Sequence, residues 1–428
     1  MRSKAVLLGA AASLATACAA HAADLPMEKA APAEYVKVCS QFGPEFFYIP
    51  GTDTCLKISG NIRADYGFNT ATNSNRQAGQ SNRATNQTAF QGRFQLGFDA
   101  RTDTDYGLLR SFILIDVLTG TTGSQQWQTG FNSTASSTFY VDKAYIQFGG
   151  LTAGYAESFY SFYDNYFGDT YFAPYFGSGI FTQNLLAYTA QFGGGLSATV
   201  SMEDPGSGRG GFGGADGALV NGGTKMPNFV ANVLYDSAWG KAQVMGAIHE
   251  ADALGLSSGE TKYGYAFGAG LSVNLPVMTG AYVALEGDYG NGASAFTGVR
   301  NNQFSPAGAP NAYDADIVAG GGTKTTTSWA LTGEAGVNLT PQLKAMIFGS
   351  YGRYNAPSGA LDDGDFTSYV AGGQLEYEIV KNMSIGAEVS YVGTNAKGLA
   401  QVMLADGEEL AKQKTNALVA GVRLKRTF

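Results

Sequence analysis

Residues 56–68, LKISGNIRADYGF, alternate in character. On an extended chain Leu56, Ile58, Ile62, Ala64, Tyr66 and Phe68 fall on one face. Lys57, Ser59, Asn61, Arg63 and Asp65 fall on the other. The same period returns in FQGRFQLGFDAR, where Phe90, Phe94, Leu96 and Phe98 alternate with Gln91, Arg93, Gln95, Asp99 and Arg101. A period of two over ten or more residues predicts a strand with one apolar and one polar face. Sixteen such segments follow one another, near 56–68, 88–101, 106–118, 138–149, 151–157, 184–192, 196–203, 228–236, 241–249, 263–275, 281–290, 328–339, 343–352, 367–379, 383–392 and 415–428. Many are longer than the five or six residues usual in a soluble sandwich. They suit tilted strands crossing a bilayer.

The connections alternate too. Short turns at 102–105, 193–195, 236–240, 340–341 and 380–382 are interleaved with long polar loops near 69–87, 119–136, 204–226, 291–327 and 393–413. Short turns on one side and long loops on the other predict an all-β fold, a sixteen-stranded antiparallel transmembrane β-barrel. Closure satisfies every backbone group in lipid and leaves no edge.

Composition agrees. Charged residues are only 14%, against 59 Gly, 24 Tyr and 26 Phe, where a soluble domain carries about 25% charged residues. A lipid-facing surface explains that poverty. Lys and Arg number 27 against 35 Asp and Glu, a net charge of −8, which argues against nucleic acid as a partner. Residues 1–22 read as a signal peptide: Arg2 and Lys4, an apolar run over Ala5–Ala17, and the small-x-small site Ala20-His21-Ala22. Residues 23–55 precede the first strand as a periplasmic-side segment, and 56–428 form the barrel. Cys18 lies in the signal. The two remaining cysteines, Cys39 and Cys55, suggest one disulfide in an oxidising compartment.

Catalytic motifs fail on context. Gly255–Gly259 matches G-x-S-x-G around Ser257, near His249, the sole histidine after the signal. No strand–turn–helix surrounds it. Gly208, Gly210 and Gly213 match G-x-G-x-x-G without a βαβ unit. No Cys/His cluster has metal-ligand spacing. The chain is not read as an enzyme and calls for no cofactor or metal.

YAESFYSFYDNYFGDTYFAPYFG, Tyr155–Gly177, is aromatic and acidic, with Glu157, Asp164 and Asp169 and no Lys or Arg. It lies between the fifth and sixth strands, in the third long loop. A lumen of this size is wide unless something narrows it, so this loop is expected to fold inward.

Here the sequence resembles the alphaproteobacterial outer-membrane porins. The likeness rests on EYVKVCSQFGPEFFYIPGTDTCLKISGNIRADYGF (34–68), KAYIQFGGLTAG (143–154) followed by ESFYSFYDNY (157–166), and the terminal LKRTF. It implies a general diffusion porin in the bacterial outer membrane, a homotrimer, with the third loop as the pore constriction. The implied partners are outer-membrane lipid and lipopolysaccharide, the assembly machinery, and small hydrophilic solutes and ions. An aromatic carboxyl terminus, Phe428, reads as the assembly signal.

The expected constriction sets Glu157, Asp164 and Asp169 on the loop side against Arg63, Arg93, Arg110 and Lys143 on the wall. Opposed rows of charge would orient polar solutes and select ions. The alternative is that the arginines simply pair with Asp65, Asp99 and Asp116. The excess of acids predicts weak cation preference. A substrate-specific channel, for a sugar for example, and an adhesin-like or enzymatic barrel are the remaining readings.

Overall fold

In the folded chain the alternation becomes two-sidedness. The computed structural model describes residues 37–70, 72–73, 88–121, 135–163, 170–172, 182–205, 212–213, 225–251, 261–299, 312–318, 322–360, 364–397 and 412–428. The expected signal peptide therefore lies outside the described residues. Sixteen long strands carry the architecture: β1 (Cys55–Asn69), β2 (Thr88–Thr104), β3 (Gly107–Thr121), β4 (Ala135–Phe148), β5 (Leu151–Glu157), β6 (Thr182–Gly193), β7 (Leu196–Glu203) and β8 (Asn228–Ser237). The second half comprises β9 (Gly240–Ala251), β10 (Lys262–Leu275), β11 (Ala281–Asn291), β12 (Thr327–Asn338), β13 (Leu343–Asn355), β14 (Asp365–Val380), β15 (Met383–Lys397) and β16 (Lys412–Thr427). Among the described residues, helix is limited to the short 3₁₀ turns Ser40–Phe42 and Ser294–Thr297.

Each strand pairs antiparallel with the next, and β16 returns to pair with β1 from Asn61↔Thr427 to Asn69↔Val419. The ring is closed. Each backbone group left unpaired in hydrocarbon would cost several kcal/mol, so closure is what permits a sheet to span lipid. Phe428 finishes the seam, with its N–H donating to the Gly60 carbonyl at 3.0 Å and its own carbonyl accepting from Gly60 at 2.9 Å.

The outward row is apolar. Ile58, Ile62, Phe90, Val200, Val244, Ile248, Leu285, Leu331 and Val389 are all exposed, as a lipid-facing side requires. Neighbouring outward aromatics meet across strands, Tyr66 with Phe90 at 4.7 Å and Trp329 with Tyr351 at 5.6 Å between ring centroids. The inward row is polar or small: Asp65, Gln91, Thr199, Asn232, Gln243 and Ser350 are buried.

One turn differs from expectation. The stretch 102–105 reads as a polar turn, yet Asp103 pairs with Leu108 and Thr104 with Gly107, so the chain reverses over Asp105–Tyr106. Strand ends that leave the hydrocarbon gain nothing from apolar side chains and still pair their backbones. Polarity alone therefore does not mark the bend.

Before β1, Cys39 and Cys55 form a disulfide with Cα atoms 6.0 Å apart, within the usual bridging span. It fastens a small apolar knot of Phe46 with Phe42 and Tyr48 against the start of the barrel. Arg101 lies over the Phe46 ring at 4.8 Å.

Candidate pore constriction

The register sets the charges of the basic wall. Arg63 stands directly opposite Arg93, and Arg101 opposite Arg110. Like charges facing across a ladder repel, so each couple needs an acid between. Asp99 supplies one. Its carboxylate accepts from Arg110 Nε at 2.9 Å and Nη2 at 2.9 Å, and from Arg101 Nε at 3.1 Å and Nη2 at 2.8 Å. Two forks thus share one carboxylate, the strongest geometry available to Arg. Asp116 supplies the other. It accepts from Arg93 Nε at 2.6 Å, Gln95 at 3.0 Å and the Tyr140 hydroxyl at 3.1 Å. Arg63 lies 3.3 Å from Asp65.

Lys143 sits in β4, and its Nζ is 2.8 Å from Glu157, the last residue of β5. Glu157 is thus placed beside the basic wall. Asp164 and Asp169 lie outside the described residues.

The chain leaving β5 turns into the barrel. Glu203 on β7 receives it: the carboxylate accepts from the Ser158 hydroxyl at 2.6 Å, the Phe159 N–H at 3.1 Å and the Gln183 amide. The next carbonyls are taken by inward side chains of β8 and β9. Asn232 donates to Phe159 O at 2.6 Å, Gln243 to Ser161 O at 3.1 Å and Lys241 to Phe162 O at 2.7 Å. A Cβ on Gly270 of β10 would collide with the Phe162 ring, so glycine there lets the loop lie against the wall. Burial, with the carboxylates of Asp288 and Glu286, pushes the Tyr160 phenol well up and keeps it neutral.

The next described stretch, 170–172, lies against a different wall. Glu388 of β15 accepts from the N–H groups of Tyr171 and Phe172, the latter at 3.0 Å. Glu376 of β14 takes the Tyr171 hydroxyl. Arg423 of β16 donates to Tyr171 O at 3.1 Å and lies 4.5 Å from the centre of its ring. Gly386 and Gly421 are the clearances: a Cβ on either would meet the ring of Tyr171 or Phe172. The loop therefore touches β7–β10 at one end and β14–β16 at the other, all on inward rows. A carboxylate anchors each end by accepting loop N–H groups that would otherwise be costly to leave unpaired away from water.

Water distinguishes the walls. The side chains of Arg63, Arg93, Arg101, Arg110 and Lys143 are 16–25% exposed. Across the ring, His249, Glu286, Thr332, Ser368 and Thr394 are sealed.

Sequence reasoning named Arg63, Arg93, Arg110, Lys143 and Glu157. It missed Arg101 as a member of the network, and Arg423, Glu203, Glu376 and Glu388 altogether. The polar row of β16, Arg423 and Lys425 alternating with Val422 and Leu424, carried a readable signal for the first of these four. For the three glutamates only their place on polar rows was visible.

A closed sixteen-stranded barrel with an apolar outer row, a charged inner row and a chain segment folded into its lumen has the architecture of an outer-membrane channel. The chain belongs to the porin subfamily, whose family model matches residues 24–422. It is a multi-pass barrel of the bacterial outer membrane. It is 33% identical over 243 residues to porin Omp2b of Brucella canis, covering 56% of this chain and 64% of that one. It is 32% identical over 241 residues to porin Omp2b of Brucella suis biovar 1, with the same coverage. The matches thus span somewhat less than two thirds of these relatives' length. In fold it resembles the outer membrane channel DcaP of Acinetobacter baumannii, with a TM-score of 0.64, 15% identity and coverage of 89% and 99%. It also resembles the trimer form of OmpT of Vibrio cholerae, with a TM-score of 0.51, 10% identity and coverage of 88% and 100%.

Proposed function

We propose that the protein is a general diffusion porin, passing small hydrophilic solutes and ions through a water-filled lumen narrowed between the infolded loop and the basic wall. One observation carries the reading: the same loop is held by inward side chains on two separated walls of a closed barrel, Glu203 on one and Glu388 on the other. The basic wall keeps 16–25% of its side-chain surface exposed, so a solute slides past Arg63, Arg93, Arg110 and Lys143. Asp99 holds the Arg110 guanidinium in a fork, Asp116 holds Arg93 and Asp65 lies beside Arg63, giving an ordered polar surface rather than a mobile one.

Five of the described loop aromatics favour a general pore over a sugar-specific one. Tyr160, Phe162, Tyr163, Tyr171 and Phe172 are all buried. They support the loop and present little stacking surface to a passing sugar. Membership of the porin subfamily supports a channel rather than a catalyst; we propose with it a homotrimer in contact with lipopolysaccharide, with Phe428 as the terminal assembly signal. Liposome swelling with uncharged sugars of graded size tests the reading. A smooth fall in rate with size supports it, and one favoured sugar overturns it.

A further inference from the structure

We infer that the described stretches 294–297 and 312–318 between β11 and β12 form a second element that sets the pore: a strap inside the barrel, fastened through Asp314 to His249, which backs the constriction loop through Phe296. The inference rests on the channel reading above.

The described parts of this segment do not lie out in water as connecting loops ordinarily do. Ser294, Ala295, Phe296 and Thr297 form one 3₁₀ turn and are all buried. Asp314 is 1% exposed and His249 is fully buried. His249 belongs to the inward row of β9, with Gln243, Met245 and Ala247 buried beside it and Val244 and Ile248 facing out. The partner of that row is therefore inside the barrel.

The fastening is specific. His249 Nε2 is 3.0 Å from Asp314 Oδ2, and Nδ1 is 2.8 Å from Asn228 Oδ1 on β8. The other Asp314 oxygen accepts from the Ser294 N–H at 2.7 Å and the Ser294 hydroxyl at 2.8 Å. One carboxylate thus ties the two halves of the strap together and both to the wall. Thr297 meets Ser328 of β12 at 2.8 Å, and the Tyr354 hydroxyl of β13 donates to Tyr313 O at 3.3 Å. A buried imidazole and carboxylate would be costly without such pairing.

Phe296 carries the strap to the constriction. Its ring meets Tyr160 edge-on at 5.0 Å, and His249 at 6.2 Å. Tyr160 sits within the stretch whose backbone Glu203, Asn232 and Gln243 hold. Withdrawing Phe296 removes the support behind the aromatic end of the loop. Phe296 and His249 are accordingly positioning residues that do not themselves touch the solute.

Single-channel recording of full-length Phe296→Ala, Phe296→Tyr and His249→Asn tests this. Phe296→Ala and His249→Asn should raise the frequency of conductance fluctuations several-fold and shift the mean conductance. Phe296→Tyr should restore wild-type behaviour. A Thr297→Cys/Ser328→Cys pair, oxidised to pin the strap to β12, should quieten the channel and release it on reduction, with reduced wild type as control. Folded variants with wild-type noise and conductance overturn the inference. If Phe296→Ala does not insert, the pinned pair decides: a quieter channel supports the strap, and an unchanged one overturns it. A wild type that does not conduct would instead remove the channel reading, and the strap's role with it.

Discussion

Asp65 and Arg423 face each other in register across the seam where β1 meets β16, joined by hydrogen bonds of 2.7 and 2.9 Å. The same guanidinium donates to the carbonyl of Tyr171 and lies over its ring. One side chain thus bridges the closing seam and holds the far end of the loop that enters the barrel. Both partners are buried, with side chains 7% and 0% exposed.

Breaking this pair should therefore affect stability and pore together. Asp65→Asn leaves Arg423 short of its buried counter-charge, and removing one partner of such a pair costs about 3–5 kcal/mol. Urea unfolding in detergent micelles should show a loss of that order. Loss of no more than a surface pair's worth, ~0.5 kcal/mol, would mean the seam does not depend on it.

Glu388 has a narrower task. It accepts two loop N–H groups, and hydrogen bonds to a charged group contribute about 1.5–3 kcal/mol each. Glu388→Gln keeps the shape and removes the charge. We expect a folded, heat-modifiable barrel whose conductance is larger and noisier. An unchanged conductance would detach the 170–172 stretch from the control of width.

The glycine clearances give a steric version of the same test. Gly421→Leu places a side chain where the Phe172 ring lies, and Gly270→Leu where Phe162 lies. Each should displace its own end of the loop and accelerate sugar entry into liposomes. An outward substitution to the same residue, such as Val422→Leu, should leave entry rates alone.

The disulfide is expected to act on stability and not on conduction. Cys39 and Cys55 are 16 residues apart, and closing a loop of that length contributes about 3 kcal/mol in the chain-entropy account. The knot lies at the start of β1, away from Glu203 and Glu388. Cys39→Ser/Cys55→Ser should lower the unfolding midpoint while single-channel conductance stays at the wild-type value.

The strands were legible in the sequence because lipid and water write opposite requirements on alternate residues. Ile58, Ile62 and Tyr66 against Arg63 and Asp65 suffice to orient β1. The inward course of the described stretches 158–163 and 170–172 was legible too, since so many aromatics cannot be left in water. The anchors were not. Glu203 and Glu388 sit on polar rows like any other lumenal acid, and nothing local says that one meets Phe159 and the other Phe172. Arg423 pairs with a residue near the opposite end of the chain, a contact that exists only once the ring closes. The sharing of Asp99 by Arg101 and Arg110 depends on β2–β3 register, which a two-residue difference at the 102–105 turn would change.

The central claim is that the lumen conducts and that the loop narrows it without closing it. Planar-bilayer recording of the purified protein in a KCl gradient tests it most directly. The account predicts stepwise, ohmic channels with a reversal potential of weak cation preference, because the wall cations are paired with Asp65, Asp99, Asp116 and Glu157 and the chain carries 35 acidic against 27 basic residues. Clear anion preference would contradict the charge reading, and a folded barrel that passes no current would contradict the channel itself.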